Sequence, residues 1–224
     1  MDTQFKMVSP LSVDIRFQDL VQKIRTSGSR PELLASAQKT FDKVQDIWRP
    51  AALYRFLEFQ HKTGTIGCLQ ENGKCLVEID FGHSIQFLSP ASHVFVSVYT
   101  AGDALEQASK NAAQKGDSLA AFFLDLIGLL VLEKAGSQMK GIVQEKAAER
   151  GWGVSPFLSP GSVHGWELEE QIPLCTLLPL EQINVRIQAD AILSPFKTIS
   201  GLIGLGSGYD AHTVGTTCQV CSKN

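Results

Sequence analysis

Four groups of residues in this chain have types and spacings that could do chemistry. The first lies in GVSPFLSPGSVHGWELEEQ, residues 153 to 171. Pro160 fixes its own φ and removes a backbone donor, while Gly161 permits a sharp turn and a close approach of main chain to a bound group. With Phe157, Ser159, Ser162 and His164 around that turn, the stretch reads as a ligand loop; a plain turn joining a strand to a helix is the alternative. His164 could meet a ligand or a transition metal through neutral imidazole, or simply face solvent. The second group is Asp125 and Glu133. Asp125 interrupts the apolar run FFLDLIGLLVLE, where a buried acid needs a donor. Glu133 follows it by about two helical turns and so lies near the same face, unless both acids sit at the exposed edge of an amphipathic helix.

The third group, Cys218-Gln-Val-Cys221, has metal-ligand or redox spacing. A structural zinc site wants four ligands and His212 is the one further candidate nearby, so an inert tail is an equal reading. The fourth is GLIGLGSG, Gly201 to Gly208, which superficially resembles a phosphate-binding glycine loop. Only sixteen residues follow Gly208, too few for the helix, second strand and ribose-binding acid of a dinucleotide fold. Flexible or tightly turned backbone completing a neighbouring pocket is the expectation instead. No Ser/His/Asp or Cys/His nucleophilic arrangement can be assembled from the sequence.

These residues need elements to hold them. Apolar spacing over Asp19 to Gln45, broken at Gly28 to Pro31, predicts two amphipathic helices. Thr65 to Leu69 and Cys75 to Ile79 bracket the ENGK turn and predict a hairpin with Asn72-Gly73 at its tip. Ser84 to Leu88 is short and apolar on alternate sides, and HVFVSVY, His93 to Tyr99, has the character of a buried strand. Thr100-Ala101-Gly102 ends that strand. Ala104 to Gln114 and Ser118 to Arg150 predict helices broken at Lys115 to Asp117, Glu167 to Leu178 another helix start, and Gln182 to Leu193 a strand. Strands and helices are intermingled without βαβ alternation, which makes the fold class α+β.

The 224 residues suit one domain, 1–224, with a helical N-terminal part over about 1–50 and a mobile tail over 209–224. Hydrophobic content of 44% allows a sizeable core, and a net charge of -3 provides no basic footprint for nucleic acid. The longest apolar run is too short to span a bilayer, and no secretory leader is visible, so the cytoplasm is the expected location. Five cysteines, an odd number, argue for reduced thiols, with Cys68, Cys75 and Cys175 as core fillers.

The order along the chain of TAG at Thr100 to Gly102, the apolar helix ending at Glu133, the FLSPG loop and SPFKTISGLIG at Ser194 to Gly204 resembles the reactivation domain of cobalamin-dependent methionine synthase, in a stand-alone form. The resemblance covers most of the chain. It implies an antiparallel twisted sheet surrounded by helices, which holds S-adenosylmethionine over a corrinoid so that inactive cob(II)alamin can be reduced and remethylated. Ligand contacts are implied at Thr100, Gly102, Asp125, Glu133, Phe157, Ser159, Pro160, Gly161, Ser162 and His164. Stand-alone members carry an acid at both helix positions, and full-length methionine synthases at Glu133.

The family anchors its ligand with Arg-x-x-x-Gly-Tyr, whose arginine and tyrosine positions are here Phe157 and Ser162. A charge-assisted bidentate contact is worth roughly 1.5 to 3 kcal/mol, so its loss removes one to two decades of affinity. Neither Arg150 nor Arg186 is marked by its position as a replacement. The family's later aromatic segment and a corrinoid-binding DxHxxG motif are absent from the sequence given, so cobalamin would come on a partner, a corrinoid protein or cobalamin-dependent methyltransferase. Two expectations follow: an accessory module of methionine biosynthesis and one-carbon metabolism, or a binding module that keeps the fold without S-adenosylmethionine. A homodimer is compatible with both.

Overall fold

The β-branched and aromatic run HVFVSVYT forms β5 (His93–Thr100), buried along nearly its whole length. The computed structural model describes residues 3–24, 30–163 and 165–215. In it, one edge of β5 pairs antiparallel with β2 (Ala51–Thr63), and the other with β9 (Thr198–Gly206) from His93↔Leu205 to Thr100↔Thr198. Beyond β2 lie β3 (Ile66–Glu71) and β4 (Lys74–Asp80), while β1 (Lys6–Val8) pairs with the first half of β2. Beyond β9 lies the short β6 (Gly153–Val154), giving the order β4-β3-β2-β5-β9-β6 with every pairing antiparallel. The β3–β4 turn is built as its sequence predicts, since Asn72 and Gly73 both take positive φ, 51° and 76°.

Period-2 alternation gives the sheet two apolar faces. Phe56, Phe95, Tyr99 and Ile203 face the helices α1 (Phe17–Ile24), α2 (Pro31–Asp42), α3 (Ala104–Gln114) and α4 (Ser118–Ala148). α4 carries the long apolar run and starts at Asp117, whose side chain accepts from Ala120 N at 2.9 Å. The opposite face, with Leu53, Leu57, Val96, Val98 and Leu202, is covered by the mostly irregular segment 158–193 through Val163, Trp166, Leu174, Leu178 and Ile183. That segment includes α5 (Gln171–Cys175) and a two-stranded hairpin of β7 (Arg186–Ile187) and β8 (Leu193–Ser194). The α+β expectation with an antiparallel sheet among helices is met. Among the described residues no helix is long and apolar enough to cross a membrane.

Several local expectations are corrected. Ser84 to Leu88, apolar on alternate sides in sequence, lies within a 3₁₀ turn, Gly82–Leu88. The strand expected over Gln182 to Leu193 is interrupted: Leu180–Ile183 is a 3₁₀ turn, and Asn184 (φ 54°) and Ala191 (φ 62°) are left-handed, a conformation no strand interior accepts. The glycine-rich stretch at Gly201 is not turned backbone; through Gly206 it belongs to β9, a strand in the interior of the sheet. Cys68 and Cys75 are not reduced core thiols: they form a disulfide across the β3–β4 hairpin, with Cα atoms 5.9 Å apart. Residues 209–215 are held by hydrogen bonds such as Val154 N to Ala211 O (2.7 Å) and Val214 N to the Gln144 side chain (2.8 Å).

Candidate functional site

Two places gather the residues singled out by sequence. At the first, the 155–166 segment runs beside β9. Ser155 Oγ accepts from Gly204 N (2.8 Å), Leu158 and Leu202 exchange backbone hydrogen bonds (2.9 and 2.8 Å), and Ser159 Oγ donates to Ser200 O (2.8 Å). Phe157 is buried, its ring 6.3 Å from that of Tyr99. Its Cζ lies 2.4 Å from where a Cβ on residue 201 would stand, so only glycine leaves room for it there. The chain then turns at Gly161 (φ 73°), whose N–H donates to Trp166 O (2.8 Å), while Ser162 N–H donates to Ser159 O (3.1 Å). Pro160, Val163 and Trp166 are buried beneath the turn, and Gly161 and Ser162 are exposed on top of it.

Below the turn is a buried polar pair. Gln171 takes the Ser200 hydroxyl on its amide oxygen (2.5 Å) and donates from its nitrogen to Ala191 O. Burial pushes the neighbouring Cys175 thiol up to about 12, the Ser200 contact opposing it, so this sulfur is held protonated and inert.

At the second place, Thr100 ends β5 with its hydroxyl donating to Lys197 O (3.3 Å) and accepting from Gly102 N (3.1 Å). Ala101 N also donates to Lys197 O (3.0 Å). Asp125 and Glu133 are both exposed, so the reading of two acids at the exposed edge of the helix holds and the buried-acid reading does not. Asp125 is nonetheless paired: the stem of Lys197 crosses Gly128 of α4, and its ammonium meets Asp125 Oδ1. The lysine is the buried member, 8% exposed at the side chain against 55% for the acid. Glu133 is separate, tied to Lys23 of α1 at 2.5 Å. The two acids therefore share a helix and serve different partners.

Two grooves open beside this cluster. One, of about 360 Å³, is lined by Asp125, Lys197, Glu106 and Phe196, a residue 74% exposed. The other, of about 470 Å³, lies between α3 and the β7–β8 hairpin and includes Asp103, Glu181, Asn184 and Arg186; Glu106 and Lys110 border both. Burial of Glu106 opposes its ionisation, but the Lys110 ammonium, the Phe196 N–H (2.8 Å) and the Lys197 charge outweigh it and hold the carboxyl below its usual range. Arg150 sits over the Trp152 ring at 5.1 Å.

His164, Cys218 and Cys221 lie outside the described residues. Among the described residues no group of three or more His, Cys, Asp or Glu is placed to hold a metal. Sequence inspection missed Lys197 and Gln171. A lone charge in the otherwise uncharged PFKTISGLIG was the available signal for the first; nothing local marks the second.

Neither a family model nor a curated protein sequence matches the chain. The crystal structure of the MetH reactivation domain bound to AdoHcy shares its fold, with a TM-score of 0.70 over 94% of this chain and 81% of that one at 10% sequence identity.

Proposed function

We propose that this chain is an accessory module of cobalamin-dependent methyl transfer, which presents an S-adenosylmethionine-type ligand to a corrinoid. The supporting observation is the likeness of nearly the whole chain to a reactivation domain that holds AdoHcy, together with the FLSPG turn that rides on β9. In this reading the chain's residues position and exclude water, and the methyl-transfer chemistry belongs to the bound groups. Gly161 and Ser162 are exposed at the turn, with the Leu168 side chain beside Gly161, and together they offer a surface on which a ligand can rest. The Asp125 carboxylate, still half in water beside Lys197, is available to a hydroxyl or ammonium donor. A cytoplasmic setting is part of the same reading, and the Cys68–Cys75 bond is the observation against it, because disulfides persist in oxidising compartments.

Position 157 does not fit a charged anchor. Its phenyl ring is buried against Tyr99 and Gly201, so no cation stands there for an amino-acid carboxylate. That observation favours a second reading, in which the fold is kept for docking on a corrinoid protein or for sensing a small molecule and S-adenosylmethionine is no longer bound. Calorimetric titration with S-adenosylmethionine and S-adenosylhomocysteine separates the two. The first reading expects saturable binding weakened by about one to two decades relative to an arginine-anchored site. No heat at about millimolar ligand leaves the second.

A further inference from the structure

The groove between α3 and the β7–β8 hairpin holds charges that do not neutralise one another. On the α3 wall the charged groups are already engaged. Lys110 pairs with Glu106 (2.5 Å), Glu106 also takes the Phe196 N–H, and Asp103 accepts from the Gln107 amide (2.6 Å). On the other wall, Glu181 of the 3₁₀ turn and Arg186 of β7 are both exposed, and neither makes a salt bridge or side-chain hydrogen bond among the described residues. Between them Asn184 takes a left-handed conformation (φ 54°) that ends the 3₁₀ turn and starts the hairpin. Opposite charges so close in sequence are thereby held on separate elements of one cavity.

We propose that this groove binds a small zwitterion of the α-amino acid class, its carboxylate taken by Arg186 and its ammonium by Glu181. A planar guanidinium matches a carboxylate in two parallel hydrogen bonds, and a carboxylate is the natural acceptor for an ammonium. A ligand of single charge would satisfy one residue and leave the other as it is; a zwitterion satisfies both and adds no net charge. The volume of about 470 Å³ lies within the range of small-molecule sites. This site is independent of the 157–162 turn, so it stands or falls separately from the proposed function.

The test is a titration of the ¹⁵N-labelled full chain with each of the proteinogenic amino acids to about 20 mM, read at the amides of Asp103, Gln107, Val185 and Arg186. For the best binder, analogues lacking the ammonium or the carboxylate are titrated in parallel; for methionine these are 4-(methylthio)butanoate and 3-(methylthio)propylamine. The expected result is saturable shifts for at least one amino acid, with binding at least about tenfold weaker for both analogues and for the Arg186→Ala and Glu181→Gln variants. Both residues are exposed, so the variants should melt with the parent. The absence of saturable shifts for every amino acid overturns the proposal. So does an equal response to the single-charge analogues, or an affinity unchanged by Arg186→Ala.

Discussion

Removing Asp125 should destabilise the protein more than removing the charge of its partner. The asymmetry comes from burial: the Lys197 side chain is 8% exposed and that of Asp125 55%. Asp125→Ala leaves a nearly buried ammonium without its direct partner, although the Glu106 carboxylate still lies within electrostatic reach. Breaking a fully buried pair costs about 3–5 kcal/mol, and an exposed pair contributes about 0–1 kcal/mol. With one member in water the expected cost of Asp125→Ala lies between, at about 1–3 kcal/mol. Lys197→Met keeps an apolar stem across Gly128 and leaves behind only a carboxylate that water already solvates, so it should cost under about 1 kcal/mol. Urea unfolding of the parent, the two single variants and the double variant measures all four corners. In thermal melts each kcal/mol should appear as about 2–4 °C for a chain of this size. The double variant should resemble Lys197→Met. If Lys197→Met is as damaging as Asp125→Ala, the argument from unequal burial is refuted.

Gly201→Ala should cost at least about 1–3 kcal/mol in the same unfolding assay, because its Cβ would stand 2.4 Å from both Leu158 O and the Phe157 ring; a neutral outcome would contradict that packing. The clasp in which Asp80 N donates to Glu170 (3.2 Å) should show an acid-side signature. Burial and then the Asp80 charge, opposed by that N–H, raise the Glu170 carboxyl above its ordinary 4.5, so its contribution is fully present below that value and is lost as pH rises through the folded pKa. The stability of the parent relative to Glu170→Gln should therefore grow as pH falls from about 7 toward 4.5, and a constant difference would be inconsistent with the shift. Asp80, lowered chiefly by the Thr65 hydroxyl and the Gly82 N–H, carries the opposite sign: its contribution exists above 3.8 and is lost as pH falls through its folded value. Cys175, with its thiol pushed up to about 12, should resist iodoacetamide at about pH 8 until the chain is unfolded, as peptide mapping of the labelled protein would show.

What the sequence discloses here is what is decided locally. Asn72-Gly73 determines its own backbone and so announces the β3–β4 hairpin; Asp117 announces α4 by capping it. β9 is hidden because its glycines lower strand propensity, and the reason for Gly201 is the Phe157 ring, distant in sequence. The pairing of Asp125 with Lys197 could not be read, since Lys197 lies 72 residues away and it is the lysine, not the acid, that is buried. The two left-handed residues Asn184 and Ala191 defeat the alternation of 182–193, which records burial of Ile183 and Val185 and not a strand. The Cys68–Cys75 bond was obscured by the odd total of five cysteines, although both residues flank the same predicted turn. At the candidate site, the FLSPG turn and the Thr100 to Gly102 strand end were legible as punctuation. The groove with Arg186 was not, because α3 and the β7–β8 hairpin meet only in the folded chain.

β9 is among the last described segments to leave the ribosome, yet it pairs with β5 along eight residue partners in the interior of the sheet. At about 5–20 residues per second, the interval between the end of β5 at Thr100 and the start of β9 at Thr198 lasts roughly 5–20 s. Throughout it the nascent chain presents a long, apolar, unpaired strand edge, which β9 from another copy could occupy as readily as its own. Crowded synthesis on one message would therefore favour strand-exchanged pairs, and the yield of monomer would depend on how thinly the ribosomes are spaced.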